Sequence, residues 1–422
     1  MENKILYKKI EHLAKQAKKA AKQMALLETA VKNAALRKMA EAIVEKTGYL
    51  IKENKKDLQY AVEHKLSDAL LDRLTLNEKR VGSMAKCLLD TVKIQDPVGA
   101  TIKTTKRPNG LVINKVRAPI GVIGIIYESR PNVTSDCIGL CLKSGNAVIL
   151  KGGKEACYSN NAIYHVIRES LKETEIPLDA IQFLASTGRE AVQILLKQNR
   201  YVDLIIPRGG EGLIHFVAEH SKIPVIKHYK GVCHTYVSDK ADLNMANAIC
   251  LNAKVQRPGV CNAMETMLVH KNIAKQFLPK VIGDLKKAGV EIRADDKVRK
   301  IIKTGIKKAT VKDWSEEYLD LILSVRVVDN TRQAIEHIST YGSQHSDAII
   351  TKDKKEAEAF AKAVDSSSVF INTSTRFADG YEYGFGAEIG ISTDKLHARG
   401  PMALEELTTY KYVVLGEGQI RT

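Results

Sequence analysis

Aromatic residues, paired cysteines and long apolar runs are all scarce in this 422-residue chain, and each scarcity excludes a class of protein. Aromatic residues make up only 5% of the sequence and are not interleaved with basic ones, which disfavours a base-stacking surface for nucleic acid. No apolar run approaches the roughly 18 residues that span a bilayer, and residues 1–9 lack the apolar core of a signal peptide. We therefore expect a cytoplasmic protein with neither a membrane nor a nucleic-acid partner.

The seven cysteines are odd in number and scattered, so they do not form the framework of a disulfide-stabilised domain. Cys137 and Cys141 stand four residues apart, but no second Cys or His pair follows at zinc spacing. His228, Cys233 and His234 are also close in sequence, yet no acidic or further His partner stands at a useful spacing. No metal site is predicted, and the thiols are expected to be reduced.

Positive charge is abundant, with a formal net charge of +16. The lysines are spread along amphipathic helices, which predicts a solvated basic surface, and a basic nucleic-acid-binding protein remains the non-enzymatic alternative. The hydrophobic content of 44% and charged content of 27% are typical of a globular chain with two or three domains.

Residues 4–98 have the apolar spacing of helices, and two β-type runs follow them. The runs Thr101–Thr105 and Leu111–Val116 are joined by a turn that contains Asn109 and Gly110, which predicts a hairpin. The C-terminal residues 410–422 also contain a strand pattern, at Tyr412–Leu415. We expect the hairpin and this strand to form one small element through which the protein assembles as a homo-oligomer.

From residue 119 the chain alternates apolar strands with helices, which predicts a doubly wound parallel α/β sheet. A helix is expected to begin near Thr187–Glu190. The predicted strands are Ile120–Tyr127, Asn146–Leu150, Ile181–Leu184 and Leu204–Ile206.

Two of these strands end in residues suited to phosphate. Arg208, Gly209 and Gly210 lead into a helix N-terminus, where free N–H groups favour an anion, and Lys151 and Lys154 flank a Gly pair. Each could be an ordinary turn, and the G-x-G-x-x-G fingerprint is absent. Two such turns on successive units favour a dinucleotide ligand.

The stretch Lys254–Thr266 presents one thiol, Cys261, after Pro258-Gly259 and ahead of a helical-looking run. A thiolate stabilised by Arg257, four residues upstream, would be a nucleophile, whereas the alternative is a small cysteine packed in a tight turn. A second α/β unit follows, which places Cys261 where a cleft between domains is expected. Its predicted strands are Thr266–His270, Leu321–Val328, Ala348–Thr351 and Val369–Asn372.

Several motifs together resemble those of the gamma-glutamyl phosphate reductase family, a branch of the aldehyde dehydrogenase superfamily, over essentially the full length. The most specific is Val328–Ile349, of the form V-x5-A-I-x-H-I-x2-Y-G-S-x-H-S-D-x-I. Arg257–Asn262 is similar to the family's nucleophile loop, and Glu388–Ser392 and Leu396–Pro401 also have the family's form.

The resemblance implies a Rossmann-type cofactor domain with an N-terminal helical layer (residues 1–98 and 118–246), an α/β catalytic domain (247–402) and a β oligomerisation element (99–117 and 403–422). It also implies an activity. L-glutamyl 5-phosphate would be reduced by NADPH to L-glutamate 5-semialdehyde with release of phosphate, the second step of proline biosynthesis, with a functional link to glutamate 5-kinase.

The resemblance further implies residue roles. Cys261 would be the nucleophile, and the Asn132 amide with the Cys261 N–H would form an oxyanion hole. Lys151 would contact the adenosine ribose or its phosphate, Glu317 the nicotinamide ribose, and the turn Arg208, Gly209 and Gly210 the pyrophosphate. The candidates for substrate contacts are Arg130, Arg257, Thr373, Ser374, Thr375 and Arg399.

One departure from the superfamily bears on the reaction. Aldehyde-oxidising relatives carry a glutamate before a Gly-Gly pair as the base that activates a deacylating water, but this sequence has Tyr229-Lys230-Gly231 there. An enzyme that reduces its thioester should not hydrolyse it, so the missing carboxylate favours the reductive direction. The alternative within enzymes is an NAD(P)-dependent oxidation of a related aldehyde to its acid, without phosphate.

Overall fold

The computed structural model describes residues 2–186 and 188–421, with the backbone alone at positions 2, 3, 68 and 69. It divides into two compact units. The first comprises Met1–Lys227, Gly384–Gly390 and Met402–Thr422, and the second comprises His228–Tyr383 and Ile391–Pro401. The second unit therefore begins earlier than the predicted residue 247, because the strand Cys233–Val237 pairs with strands of the second sheet.

The first unit begins with the predicted helical layer. Its amphipathic spacing is borne out in the first helix, where Ile10, Ala14, Ala17 and Met24 are buried along one face. The fifth helix begins at an Asn77 side chain that accepts the Arg80 N–H, which satisfies one of the donors left free at a helix start. The helices are α1 (Glu2–Met24), α2 (Thr29–Glu45), α3 (Thr47–Glu63), α4 (Asp68–Leu74) and α5 (Glu78–Lys93).

The predicted hairpin and the predicted parallel sheet follow in the same unit. The hairpin strands are β1 (Thr101–Lys106) and β2 (Val112–Pro119), and the sheet strands are β3 (Val122–Tyr127), β4 (Ala147–Gly152), β5 (Ile181–Phe183) and β6 (Leu204–Arg208). The sheet order is β5-β4-β3-β6, and all pairs are parallel, as expected from strands buried on both faces.

The helices that cover this sheet are α6 (Asn132–Lys143), α7 (Cys157–Ser170), α8 (Arg189–Leu195) and α9 (Glu211–His220), with short 3-10 helices at Lys154–Ala156 and Leu178–Ala180. The helix expected near Thr187–Glu190 begins at Arg189, and Thr187 lies outside the described residues.

The second unit is built on a parallel sheet in the order β10-β9-β11-β8-β7-β12-β13. Its strands are β7 (Cys233–Val237), β8 (Met264–His270), β9 (Glu291–Ala294), β10 (Lys307–Lys308), β11 (Ile322–Val328), β12 (Ser346–Ile350) and β13 (Ser368–Ile371), with a separate antiparallel pair, β14 (Ile391–Ser392) and β15 (Gly400–Pro401). The four strands predicted for this unit are confirmed, whereas β7 and the short β9 and β10 of the same sheet were not predicted.

The helices of the second unit are α10 (Leu243–Val255), α11 (Lys271–Lys287), α12 (Asp296–Ile301), α13 (Thr331–Tyr341) and α14 (Lys354–Ala363), with 3-10 helices at Lys312–Ser315 and Thr375–Phe377. The expectation of a helical run directly after Cys261 is wrong, because β8 begins at Met264. Every residue of β8 is buried, and a strand buried on both faces has a continuous apolar pattern that periodicity does not distinguish from a helix.

The chain ends in β16 (Thr408–Leu415), which pairs along its length with β2 in an antiparallel three-stranded sheet, β1-β2-β16. The prediction that the hairpin and the C-terminal strand form one element is confirmed. Thr422, the last residue of the predicted C-terminal segment, lies outside the described residues. Among the described helices, none is long and apolar enough to cross a membrane.

Candidate active site

Cys261 lies in a turn between the end of α10 and the start of β8, and its side chain is half-buried. Its backbone is enclosed by two neighbours. Gly231 packs against it so closely that a Cβ at residue 231 would fall far inside van der Waals contact with the Cys261 carbonyl. The Cys233 thiol donates to that same carbonyl oxygen at 3.2 Å. The backbone that presents the Cys261 thiol is therefore held in place from two sides.

The next residue, Asn262, anchors the other side of the turn. Its amide donates to the Ala378 carbonyl at 2.9 Å, and its own carbonyl accepts from Thr375 Oγ1 at 2.7 Å. Ser374 Oγ accepts the Arg376 N–H at 3.3 Å at the start of a 3-10 helix. Two of the predicted substrate residues, Ser374 and Thr375, are thus buried and engaged in holding this loop, whereas Thr373 is half-buried.

Two arginines of this unit, Arg376 and Arg257, interact with each other, and Arg376 also interacts with the thiol. Arg376 donates to Gln256 Oε1 at 2.8 Å and hydrogen-bonds the Asn262 side chain. Burial, and then the positive charge of Arg257, lower the pKa of Arg376, while the Cys261 thiol opposes that shift. Arg257 itself is exposed. The sequence named Arg257 and missed Arg376, although Arg376 directly follows the Thr373–Thr375 stretch.

Arg399, the other arginine predicted in this unit, is held by Asp365. Its Nη1 is 2.6 Å from Asp365 Oδ1, and its Nη2 donates to the Asp365 backbone carbonyl at 2.8 Å. Arg399, which directly precedes β15, is therefore anchored to Asp365. Both of its terminal nitrogens are engaged in this contact.

Two histidines border Cys261. One ring nitrogen each of His228 and His345 and the Cys261 Sγ all lie within 4.8 Å of one another. The two rings meet edge to face, with centroids 5.5 Å apart. The expectation that His228 and His234 have no further partner is corrected here. His234 pairs with Asp347, at 3.0 Å between Nδ1 and Oδ1, because β7 and β12 are neighbours in the sheet although distant in sequence.

Two further acidic residues lie beside this turn. Glu317 accepts the Gly231 N–H at 2.9 Å, so its carboxylate is linked to the segment that packs on Cys261. Glu265 forms a fully buried ion pair with Lys254, at 2.6 Å. Burial raises the pKa of Glu265 to about 7. Glu317 was predicted from the sequence as a contact for the nicotinamide ribose. The Lys254–Glu265 ion pair was not predicted, because the stretch that contains both residues was selected only for its thiol.

In the first unit, the turn predicted to bind pyrophosphate already holds an anion. The Gly210 N–H, at the start of α9, donates to Glu128 Oε2 at 2.8 Å, and the same carboxylate fills the space where a Gly209 Cβ would stand. The preceding residue, Arg208, ends β6 and is half-buried. A carboxylate bound at this helix N-terminus indicates that the turn accepts negative charge, as a dinucleotide phosphate would require.

Lys151, the other predicted cofactor residue, is at the end of β4. Its ammonium donates to the Gly152 carbonyl at 2.6 Å, and burial lowers the pKa of Lys151. A partly desolvated ammonium beside a strand end fits a phosphate or a ribose hydroxyl as its ligand. The described residues of this unit therefore fit a dinucleotide at both predicted turns.

The loop that carries Arg130 and Asn132 precedes α6. Ser129 has a φ of +47°, unusual for a side-chain-bearing residue, and its N–H and Oγ donate to Glu155 Oε1 at 2.6 and 2.9 Å. Asn132 is exposed at the first turn of α6, and its amide donates to Asp136 Oδ2 at 2.8 Å. This contact fixes the orientation of the amide that was predicted to serve the oxyanion hole.

Comparison with known proteins assigns the family. Residues 4–305 match the sequence profile of the aldehyde dehydrogenase family. A gamma-glutamyl phosphate reductase of Nautilia profundicola is 55% identical, with 98% of this chain and 100% of the relative covered. The enzyme of the same name from Aquifex aeolicus is 52% identical, with coverage of 98% and 96%.

A solved structure agrees with these relatives. The crystal structure of gamma-glutamyl phosphate reductase from Thermotoga maritima is 46% identical, has a TM-score of 0.96, and is matched over 98% of this chain and 100% of that one. This chain belongs to the gamma-glutamyl phosphate reductase family. The resemblance drawn from the motifs is confirmed.

More distant members show the fold alone. An acetylating aldehyde dehydrogenase from Geobacillus thermoglucosidasius is 16% identical with a TM-score of 0.70 over 100% of this chain and 99% of that one. The predicted aldehyde dehydrogenase-like α/β fold is therefore confirmed for this reductase family member. Its parallel sheets carry Cys261 and the predicted cofactor turns on separate compact units.

Four groups beside the predicted site residues of the two units were missed by sequence reasoning, and one of them had a usable signal. His345 stands inside the motif Val328–Ile349, whose His-Ser-Asp triplet invites a functional interpretation. Arg376, Glu128 and the Lys254–Glu265 pair carry no local pattern, because each takes part through a contact with another element.

Proposed function

We propose that this family member reduces L-glutamyl 5-phosphate to L-glutamate 5-semialdehyde with release of phosphate, using NADPH, in the second step of proline biosynthesis. The observation that carries the proposal is the half-buried Cys261 on a rigid turn, with a lysine and a glycine where hydrolytic relatives hold their base. The names of the full-length relatives support the same substrate. The acyl phosphate would be supplied by glutamate 5-kinase, in the cytoplasm.

The proposed reaction proceeds through the Cys261 sulfur. The thiolate attacks the acyl carbon, a C–S bond forms, and the C–O bond to phosphate breaks with its electron pair on the departing phosphate. When bound, NADPH supplies a hydride to the thioester carbon. The resulting thiohemiacetal on Cys261 loses its C–S bond, which releases the aldehyde and restores the thiolate.

The charge that develops on the acyl oxygen requires donors fixed in advance. We assign this role to the Asn132 amide and the Cys261 backbone N–H. The hydrogen bond from Asn132 to Asp136 and the enclosure of the Cys261 backbone by Gly231 and Cys233 both reduce the reorganisation needed at each donor.

The anionic groups of the substrate need cations. Arg376 is the best placed in the second unit, because it interacts electrostatically with Cys261 and is oriented by Gln256 and Asn262, and Arg257 is close enough to act on Arg376. Arg130 remains a candidate from the first unit. Arg399 is the least suited, since Asp365 already neutralises it.

The proposed cofactor contacts divide between the two units. Lys151 would hold the adenosine ribose or its phosphate, and Arg208 with the Gly209-Gly210 turn would hold the pyrophosphate. Glu317 would bind the nicotinamide ribose hydroxyls. A structure of Methanocaldococcus jannaschii glyceraldehyde-3-phosphate dehydrogenase, 17% identical with a TM-score of 0.69 over 97% of this chain and 95% of that one, is complexed with NADP.

The decisive test is Cys261→Ala in the reverse assay, in which glutamate semialdehyde is oxidised with phosphate and NADP+. We expect turnover to fall below detection while the circular dichroism spectrum is unchanged. Cys157→Ala, at the other half-buried cysteine, is the matched control and should remain within about twofold of wild type, as surface substitutions usually do. Substantial turnover by Cys261→Ala would overturn the mechanism.

The same assay separates the alternative enzyme. We expect no turnover when phosphate is omitted, and faster turnover with NADP+ than with NAD+. Phosphate-independent oxidation would instead indicate an aldehyde dehydrogenase that hydrolyses its thioester.

A further inference from the structure

The three donors around the nucleophile are of the kind that binds zinc. Imidazole nitrogen and thiolate sulfur are preferred Zn²⁺ ligands, and His228, His345 and Cys261 offer two of the first and one of the second. We propose that these residues form a Zn²⁺ site whose occupation reversibly inhibits the enzyme by capturing its nucleophile. The inference concerns metal binding by these side chains, and it holds whichever aldehyde or acyl phosphate the enzyme uses.

Both imidazoles are oriented as metal ligands usually are. His228 Nδ1 is 2.8 Å from the Ile391 carbonyl oxygen, and because a carbonyl only accepts, Nδ1 carries the proton and Nε2 carries the lone pair. His345 Nδ1 is 2.9 Å from Ser346 Oγ. Outer hydrogen bonds hold metal-binding histidines in this way: the carbonyl fixes both the tautomer and the ring direction of His228, whereas the Ser346 hydroxyl, which can donate or accept, fixes the ring direction of His345 alone.

The spacing of the donors requires a modest contraction. In a tetrahedral site with Zn–N near 2.1 Å and Zn–S near 2.3 Å, ligand atoms are roughly 3.5 Å apart. The three donors here lie within 4.8 Å of one another. His345 is fully buried, whereas Cys261 and His228 are half-buried, so a rotation of these two side chains can close the gap. A water would complete the fourth position.

Nearby charge sets the strength of the site. Arg376 interacts electrostatically with Cys261 and opposes a dication there, which favours weak and reversible binding over a permanent structural site. Cys233 is the competing thiol, at 3.8 Å from His345 Nδ1, but its S–H is directed to the Cys261 carbonyl. When zinc binds, the Cys261 S–H bond breaks, its proton passes to the buffer, and no redox change occurs.

The test uses Co²⁺, which substitutes for Zn²⁺ and gives a thiolate-to-cobalt charge-transfer band. Titration of the full-length protein should produce this band, and Zn²⁺ should abolish it. Cys261→Ser should lack the band, and Cys157→Ser, the matched cysteine control, should retain it. His228→Ala and His345→Ala should each weaken cobalt binding at least tenfold, since loss of an outer partner alone typically costs that much.

Inhibition is measured in parallel. Zn²⁺ should inhibit wild-type turnover, and a chelator should restore it. If a histidine-to-alanine variant does not fold, the corresponding glutamine variant is used, with circular dichroism as the check. A charge-transfer band that persists in Cys261→Ser, or unchanged cobalt affinity in both histidine variants, would overturn the site. Because the readout is spectroscopic, that failure is distinguishable from a failure of the reductase assay.

Discussion

At the scale of single residues, Glu128 is the least expected participant. Its carboxylate accepts the Gly210 N–H at the start of α9, which is the donor that a cofactor pyrophosphate would be expected to use. Burial raises the pKa of Glu128, and its hydrogen bond from Gly210 opposes that shift. At the proposed pyrophosphate site we therefore expect Glu128 to act as an internal competitor, which cofactor binding would have to displace.

Glu128→Gln should consequently tighten NADP(H) binding. Removing one negative charge beside the phosphates is worth about 1 kcal/mol at a partly exposed site, or roughly fivefold in Kd. Fluorescence or calorimetric titration would measure the change. Glu219→Gln, at the exposed far end of the same helix, removes the same charge and should leave Kd unchanged. Equal affinities for the two variants would contradict this role for Glu128.

The Lys254–Glu265 pair makes a second prediction at this scale. The pKa of Glu265 is raised by burial to about 7 from 4.5, so the native state binds more protons than the unfolded state between these values. Stability from this group is therefore lost as pH rises from about 4.5 to 7, by at most about 1.4 kcal/mol per pH unit. In Glu265→Gln this loss should be absent.

The quantity to measure is the difference in free energy of unfolding between Glu265→Gln and wild type, because other groups titrate in the same pH range. The pKa of His337 is lowered to about 2 by burial, which alone makes stability rise with pH up to its unfolded value. Urea unfolding at pH 5, 6 and 7 can follow the single tryptophan, Trp314, in the same unit. The stability of Glu265→Gln relative to wild type should increase with pH. A constant difference would show that Glu265 is ionised throughout.

At the scale of elements, the positions of most strands could be predicted from the sequence, but which strands lie side by side could not. β3, β4 and β6 appear in the sequence as continuous apolar runs, and all three are confirmed. The run after Cys261 was misassigned at first because β8 is buried on both faces.

Contacts between elements could not be predicted from the sequence, for a physical reason. The register of β7 with β12 brings His234 to Asp347, and the packing around Cys261 brings together His228 and His345. Local spacing carries no information on which strands lie side by side. The sequence therefore singled out Cys261 from its own loop, whereas most of the residues that surround it in the structure could not be predicted.

At the scale of the whole molecule, the sheet β1-β2-β16 leaves apolar side chains uncovered. Tyr412 and Val414 on β16 are 61% and 54% exposed, and this strand is an unpaired edge of its sheet. Exposed apolar side chains on an open edge are typical of an interface between subunits. We propose that this element joins copies of the chain into a homo-oligomer.

Light scattering coupled to gel filtration tests the assembly. The wild-type protein should have a multiple of the 46.7 kDa chain mass, and Tyr412→Glu with Val414→Glu should shift it towards a single chain. Val62→Glu, at an exposed apolar residue of α3, is the control and should assemble normally. A wild-type protein that is monomeric at micromolar concentration would refute the proposed interface.

The contact between Gly231 and the Cys261 carbonyl limits which substitutions are tolerated at residue 231. Any side chain at residue 231 would collide with the backbone that holds the nucleophile. Laboratory evolution towards a hydrolase therefore cannot install its carboxylate at that position by a single codon change. It would have to begin at Lys230, or first remodel the turn that carries the thiol. The packing of Gly231 thus constrains the turn that carries Cys261 independently of the missing base at Lys230.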